Sequence, residues 1–191
     1  MSHYTREELL TLGFAKVGQN CLVSKKASFY GTKNIELGDS VRIDDFCVLS
    51  AGEGGIKLGC YIHIAVYTCL IGAGAIEVAN YCNISSRVAI YSSSDDYSGE
   101  WMTNPMVDNA FTNVEHGTVT LQPHVIIGSG SVILPNVTLY EGVAVGALSL
   151  VNKDLEPFTI YAGQPVRFIK PRKRDLLKWQ LDFEHKLSLP S

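Results

Sequence analysis

What this chain of 191 residues lacks removes whole classes of protein. No apolar run approaches the ~18 to 20 residues that a membrane span requires, although 46% of the residues are hydrophobic. The opening Met1-Ser2-His3-Tyr4-Thr5-Arg6-Glu7-Glu8 is polar and holds no secretory hydrophobic segment, so a cytoplasmic location is expected. There is no excess of basic residues: 16 Lys and Arg face 19 Asp and Glu, and a net charge of -3 argues against general nucleic-acid binding. The five cysteines are odd in number and form no disulfide framework. Cys21, Cys47 and Cys82 fall at small inward positions of the repeat described next, which predicts reduced packing residues.

A helical period is also missing from most of the chain, and a beat of six stands in its place. Leu121, Ile127, Ile133, Leu139, Val145 and Val151 are aliphatic at every sixth position. Four residues after each come Val125, Ser131, Val137, Val143, Ser149 and Leu155, all small or aliphatic. The same phase runs upstream through Val17, Val23, Phe29, then Leu37, Ile43, Leu49, then Leu58, Ile64, Leu70, then Val78, Ile84, Ile90. A period of six fits neither the 3.6 of a helix nor a simple alternation. It predicts an all-β parallel β-helix, with three short strands and three tight turns per coil and like side chains stacked coil on coil. Six coils are expected over about 17–155, in a single domain spanning 1–191. The interruptions at 49–58, 70–78 and 90–121 fall at one recurring corner.

Three segments stand outside the beat. Thr5 to Leu12 reads as a helix with a capping box, Thr5 as N-cap and Glu8 three residues on, placed to cover the open first coil. Residues 91–117 form a long polar loop, and an ordered loop of that length in a compact solenoid usually serves function. A helix is expected over about 172–187, with Leu176, Trp179 and Phe183 on a face that caps the last coil.

Ile127-Gly128-Ser129-Gly130-Ser131-Val132, the run Val145 to Asp154 and the exit Ala162-Gly163-Gln164-Pro165-Val166-Arg167 resemble the hexapeptide-repeat acyltransferases. The resemblance covers roughly 17–174. It implies left-handed coiling, acetyl-CoA as acyl donor, no metal, and a homotrimer with each site in the cleft between two β-helices. Ser94-Asp95-Asp96-Tyr97-Ser98-Gly99 and Met102-Thr103-Asn104-Pro105 are similar to the sugar-modifying members of surface-polysaccharide pathways. By the same resemblance Gly128, Ser129, Ala147, Asn152, Lys153, Lys170 and Arg172, with Arg174 nearby, hold coenzyme A. Small residues admit its pantetheine and cations suit its phosphates. The plainer reading is that the glycines serve turns and that 170–174 is a solvated basic run.

In the galactoside acetyltransferases of this family a histidine after the fourth coil deprotonates the acceptor hydroxyl. Counting forward from Val78 to Asn83 places Asp95 there instead. An aspartate, with a reference pKa near ~3.9, is a poor base for a sugar hydroxyl but orients an amino group well. A neutral amine attacks a thioester without prior deprotonation, so the acceptor is expected to be an amino sugar, possibly nucleotide-linked. His63 points outward from a flat face, His116 ends the long loop, and His124 beside Pro123 is expected to bond nearby backbone. Ser85 and Ser86 face outward near the root of the loop and are candidates for acceptor binding or proton relay. Asp44, Asp45 and Asp96 are candidates for contacting the sugar. The alternatives are a sugar O-acetyltransferase using Asp95 or His116, a non-catalytic β-helix binding protein, and a metal-dependent hydratase, whose histidine spacing is absent.

Overall fold

The computed structural model describes residues 2–189, and they form a left-handed parallel β-solenoid. Its first face stacks Lys16–Val17, Ile35–Leu37, Ile56–Leu58, Ile76–Val78, Val119–Leu121 and Val137–Leu139. The second stacks Leu22–Val23, Arg42–Ile43, His63–Ile64, Asn83–Ile84, Ile126–Ile127, Ala144–Val145 and Thr159–Ala162. The third runs from Ser28–Tyr30 through Val48–Ala51, Cys69–Gly72, Ala89–Tyr91 and Val132–Ile133 to Leu150–Val151. The six expected coils are present, and the second face carries the solenoid one strand further before Arg167–Pro171 returns antiparallel.

The beat of six is a core beat. Ile43, Ile64, Ile84 and Ile127 lie in register on the second face with no exposed surface, and Leu49, Leu70, Ile90 and Ile133 do the same on the third. Each such side chain contributes roughly 1.5–3 kcal/mol by leaving water. Buried hydroxyls satisfy themselves within the stack: Thr68 Oγ1 donates to the Ser85 carbonyl at 2.9 Å and Ser131 Oγ to Gly146 at 3.0 Å. Outside, the first face carries Lys16, Glu36, Lys57 and Glu77 in one register row, a solvated ladder of alternating charge.

Two corners repeat an unusual backbone. Between the first and second faces, Asn20, Ser40, Tyr61, Tyr81, His124, Gly142 and Phe158 all have positive φ. Between the second and third, Phe46, Tyr67, Arg87, Gly130 and Leu148 do. The left-handed region costs a non-glycine residue roughly 1–2 kcal/mol, so aromatic side chains here need compensating contacts. At both corners they stack: Tyr61 on Tyr81 at 5.2 Å and Tyr81 on His124 at 5.1 Å, and Phe46 on Tyr67 at 5.0 Å.

Helix α1, Arg6–Thr11, starts at the expected capping box, and Leu9 enters the core. Just before it, the Tyr4 amide donates to the Val23 carbonyl, which pairs the otherwise open first coil. Helix α2, Asp175–Ser188, is where expected but does not cap the last coil. It runs back along the first corner: Arg174 lies over Phe158, Gln180 Oε1 is 2.6 Å from His124 Nε2, Phe183 meets Tyr61 edge-on, and Glu184 accepts from Tyr81 at 2.7 Å. Trp179 is left largely exposed. His124 correspondingly bonds α2 with its ring, not neighbouring backbone.

All five cysteines are free thiols. Burial pushes Cys47 up to about 11 and Cys82 up to about 12, as suits inert packing residues, whereas Cys21 is only half-buried. Among the described residues no helix is long and apolar enough to cross a membrane, and no group of three His, Cys, Asp or Glu is placed to hold a metal.

Candidate active site

The candidate residues fall into two groups on different faces. On the second face, Arg42, His63 and Asn83 occupy one outward row on successive coils. Asp44, only 4% exposed, lies between them. Its Oδ1 accepts from Arg42 Nε at 2.8 Å and its Oδ2 is 2.9 Å from His63 Nε2. Burial opposes the charge on Asp44, but the bonds from His63 and Arg42 outweigh it and hold the carboxyl below its usual pKa. His63 Nδ1 is 3.2 Å from Asn83 Oδ1. With Nε2–H given to Asp44, a cationic ring donates to that oxygen, while a neutral ring requires the Asn83 amide to present its NH2. Either way both ring nitrogens are engaged, so the His63 ring is held in place by its neighbours. Arg42 and Asn83 were not among the expected site residues, although each precedes an inward isoleucine in the same phase as His63.

Ser85 lies on the same face. Its backbone is tied to Ile127 and Thr68, and among the described residues its hydroxyl has no partner. Its neighbours in the register row are Ala65 and Gly128, so nothing larger than a methyl stands beside it along the coil axis. Gly128 is small for a packing reason: a Cβ there would meet the Ala147 amide nitrogen at 2.4 Å. Ser86, at the following turn, accepts the Gly130 amide with its carbonyl. Asp45 is committed to structure, accepting from the Ser24 hydroxyl and lying 3.2 Å from Lys26 Nζ.

The second group belongs to the long loop at the third corner. Ser93–Ser94 pairs antiparallel with Glu115–His116 and closes the base of the loop. Ser93 Oγ lies 2.8 Å from His116 Nδ1 and also accepts the Ala73 amide at 2.8 Å. Asp96 staples the following turn, bonding the Ser98 hydroxyl at 2.8 Å and the Gly99 amide at 2.9 Å; these bonds, that of Ser98 first, lower its pKa. It is therefore a loop-shaping residue. Asp95 differs: among the described residues no hydrogen bond or ion pair holds its carboxylate. It borders a cavity of about 370 Å³ with Tyr91, Tyr97, Val132 and Leu134. A neighbouring cavity of about 620 Å³ brings together His116, Asn136 and Asn152. Neither contains Asp44, His63 or Ser85.

The expected coenzyme A residues are likewise dispersed. Ser129 and Ala147 are exposed beside the second corner, Asn152 and Lys153 are exposed past the third face, and Lys170 lies on the returning strand of the second face. Arg172 is half-buried and spends Nη1 on the carbonyls of His124, at 2.9 Å, and Gly142, at 3.0 Å. That ties the exit segment to the first corner and leaves only the rest of its fork for a ligand.

The parallel left-handed solenoid gives the fold, and known proteins give the family and its branch. The chain matches no protein-family model. It is 52% identical over 184 residues, covering 96% of both chains, to a dTDP-4-amino-4,6-dideoxy-D-glucose acyltransferase of Escherichia coli. The structure of AntD, an N-acyltransferase from Bacillus cereus in complex with dTDP and 3-hydroxybutyryl-CoA, superposes with a TM-score of 0.95 at 46% identity, covering 98% of this chain and 99% of that one. A serine-to-alanine variant of AntD, in complex with dTDP-4-amino-4,6-dideoxyglucose and coenzyme A, superposes at 0.94 with 47% identity, covering 97% and 98%. The chain belongs to the hexapeptide-repeat acyltransferases, in the branch of the dTDP-sugar acyltransferases.

Proposed function

We propose that this protein transfers an acyl group from a coenzyme A thioester to the amine of a dTDP-linked 4-amino-4,6-dideoxy sugar. The observation that carries this reading is a free carboxylate, Asp95, at the place where hydroxyl-modifying relatives keep a histidine, in a chain 52% identical to an enzyme of that specificity. AntD was also solved with its serine replaced by Thr, Ala or Cys and with its aspartate replaced by Asn or Ala, the two positions ten residues apart. Ser85 and Asp95 have the same spacing, and among the described residues neither side chain has a hydrogen-bond partner.

In this mechanism Asp95 accepts a hydrogen bond from the sugar amine and aims its lone pair at the thioester carbonyl. The C–N bond forms, the carbonyl oxygen takes the negative charge, and the C–S bond breaks as that oxyanion collapses. The nitrogen gives up one proton, which the departing thiolate can take, so no strong base is required. Ser85 binds the acceptor or relays that proton. The coenzyme is held by Ser129, Ala147, Asn152, Lys153 and Lys170.

Because Asp44, His63 and Ser85 lie on one face and Asp95, His116 and Asn152 at another, we place the site between copies in a homotrimer. One copy supplies the second face and another the loop. Free thiols in all five cysteines suit a reducing compartment, which supports a cytoplasmic reaction. The test is turnover with acetyl-CoA on dTDP-4-amino-4,6-dideoxyglucose and on its 4-hydroxy counterpart. Amide formation with the first alone supports the reading; ester formation with the second alone replaces it by sugar O-acetylation, and tight nucleotide binding without turnover by a binding protein.

A further inference from the structure

Two charged rows on the outside of the solenoid are finished differently. On the first face Lys16, Glu36, Lys57 and Glu77 alternate in register. Among the described residues their one ion pair, Lys57 with Glu77, is 3.9 Å long and exposed. On the second face the bonds from Arg42 to Asp44, from Asp44 to His63 and from His63 to Asn83 measure 2.8, 2.9 and 3.2 Å. Only 6% of the Asp44 side chain is exposed. A carboxylate taken out of water on an outer surface carries a cost that an exposed ladder avoids. Its two partners offset that cost only while both stay in place, so the network fixes the orientation of the His63 ring.

This chain of bonds has a free end. Asn83 is exposed, and His63 engages one end of its amide; among the described residues the other end bonds nothing. Asn83 and Ser85 flank the inward Ile84, so both leave the same outer face, with Ala65, Ile126 and Gly128 beside them. What the free end offers depends on His63. Asp44 keeps the Nε2 proton in either state of the ring. A cationic ring also donates from Nδ1, takes the Asn83 carbonyl and leaves the NH2 outward; a neutral ring takes the NH2 and leaves the carbonyl outward. The charged groups that face the ring are Asp44 and, through it, Arg42, both from the preceding coil. The following coil presents Asn83 and Ser85, which are neutral. The cluster is therefore net positive with a donor outward and uncharged with an acceptor outward.

We infer that Asn83 is a positioning residue for the nucleotide sugar, and that the charge on His63 sets its hydrogen-bonding sense, turning the amide NH2 to a phosphate oxygen of the acceptor. The inference rests on the proposed amine acylation. Successive outward residues of a strand lie roughly 6–7 Å apart, about the length of a pyranose ring. An amino sugar whose nitrogen lies near Ser85 thus brings its anomeric oxygen and the phosphate on it to Asn83. A diphosphate ester offers acceptor oxygens and no donor, so it binds the donor form of the amide and favours the ring cation. By linkage, the bound nucleotide sugar draws a proton onto His63. Coenzyme A carries phosphates too, and separate titrations tell the two sources apart.

The test is titration of the full chain with dTDP-glucose, whose diphosphate is esterified at both ends and keeps its charge, and separately with coenzyme A. Both are run across the pH range in which the His63 ring titrates, followed by nitrogen NMR and assigned with His63→Gln. The native chain is expected to bind dTDP-glucose about tenfold more tightly with the ring charged, and the ligand to shift the ring midpoint upward; coenzyme A should do neither. Asn83→Ala is expected to lose that pH dependence and to raise KM for the amino sugar far more than it lowers kcat. Asn83→Asp, an acceptor in both states, should bind dTDP-glucose more weakly than Asn83→Ala. His63→Gln, neutral throughout, should bind without pH dependence. An unchanged affinity in folded Asn83→Ala, with only its melting temperature lowered, would make the network purely structural and overturns the inference. So does a His63 midpoint moved by coenzyme A and not by dTDP-glucose. Acylation is scored apart: pH-linked nucleotide binding without amine acylation refutes the function alone, and amine acylation with an affinity indifferent to Asn83 refutes the positioning role alone.

Discussion

The first and second corners differ in what they do with the same material. Both hold aromatic residues in a costly left-handed conformation and recover the cost by stacking. The first is closed over by α2, with Tyr81 bonded to Glu184, His124 to Gln180, and the His124 and Gly142 carbonyls to Arg172. The second has Lys26 and Arg87 at its ends and ring edges in solvent. The lesson is that a β-solenoid buries its interior coil by coil with no help, so its corners are free for other contacts, as the first is for the chain's own tail.

That comparison can be broken at several points. The largest effect is expected from Asp95→Asn, which should lower turnover on the amino sugar by about 10- to 100-fold with an unchanged melting temperature, because it weakens only a charge-assisted bond to substrate. A loss of folding stability instead would make Asp95 structural. Next comes Tyr61→Ser with Tyr81→Ser at the first corner. It should lower melting temperature more than the same double change at Phe46 and Tyr67, because the first stack also carries α2; calorimetry compares the two. Arg172→Ala, which removes the donor of the His124 and Gly142 carbonyls, should cost about 1–3 kcal/mol in denaturant unfolding.

Smaller still is Tyr81→Phe, expected to cost about 0.5–1.5 kcal/mol near neutral pH by removing the bond to Glu184. Burial first, and then that bond, push Tyr81 up to about 12. A folded pKa above the unfolded value of roughly 10 means that its contribution is complete below pH ~10 and fades as pH rises towards 12. The stability gap between the native chain and Tyr81→Phe should therefore shrink above pH 10, and a gap that widens there contradicts the assignment.

The coils were legible because the inward positions of a solenoid are set by its own period: every one of Leu37, Ile43, Leu49, Ile64, Leu70 and Ile84 is buried as its phase predicts. The course of α2 was not, since its apolar stripe says that it packs but not where. The clue was available in the phase of Tyr61 and Tyr81, which put rings at one turn of successive coils. In the site, Asp95 and Ser85 were legible as outward polar residues near the loop. The partners that Asp45, Asp96 and Arg172 find within the chain, Ser24 with Lys26, the turn at 98–99, and the carbonyls of 124 and 142, were not legible, because they are set by the coil register or by local turn geometry.

The central claim is that a face of one copy and the loop of another make one site, and mixed assembly tests it directly. Ser85→Ala damages only the face and Asp95→Asn only the loop. Each alone should be nearly inactive on the dTDP amino sugar. Unfolded together in equal amounts and reassembled, they should recover about a quarter of native turnover, the share of clefts in which an intact face meets an intact loop. Recovery no greater than the sum of the two separate variants would mean that both residues act from one chain, and would contradict the account.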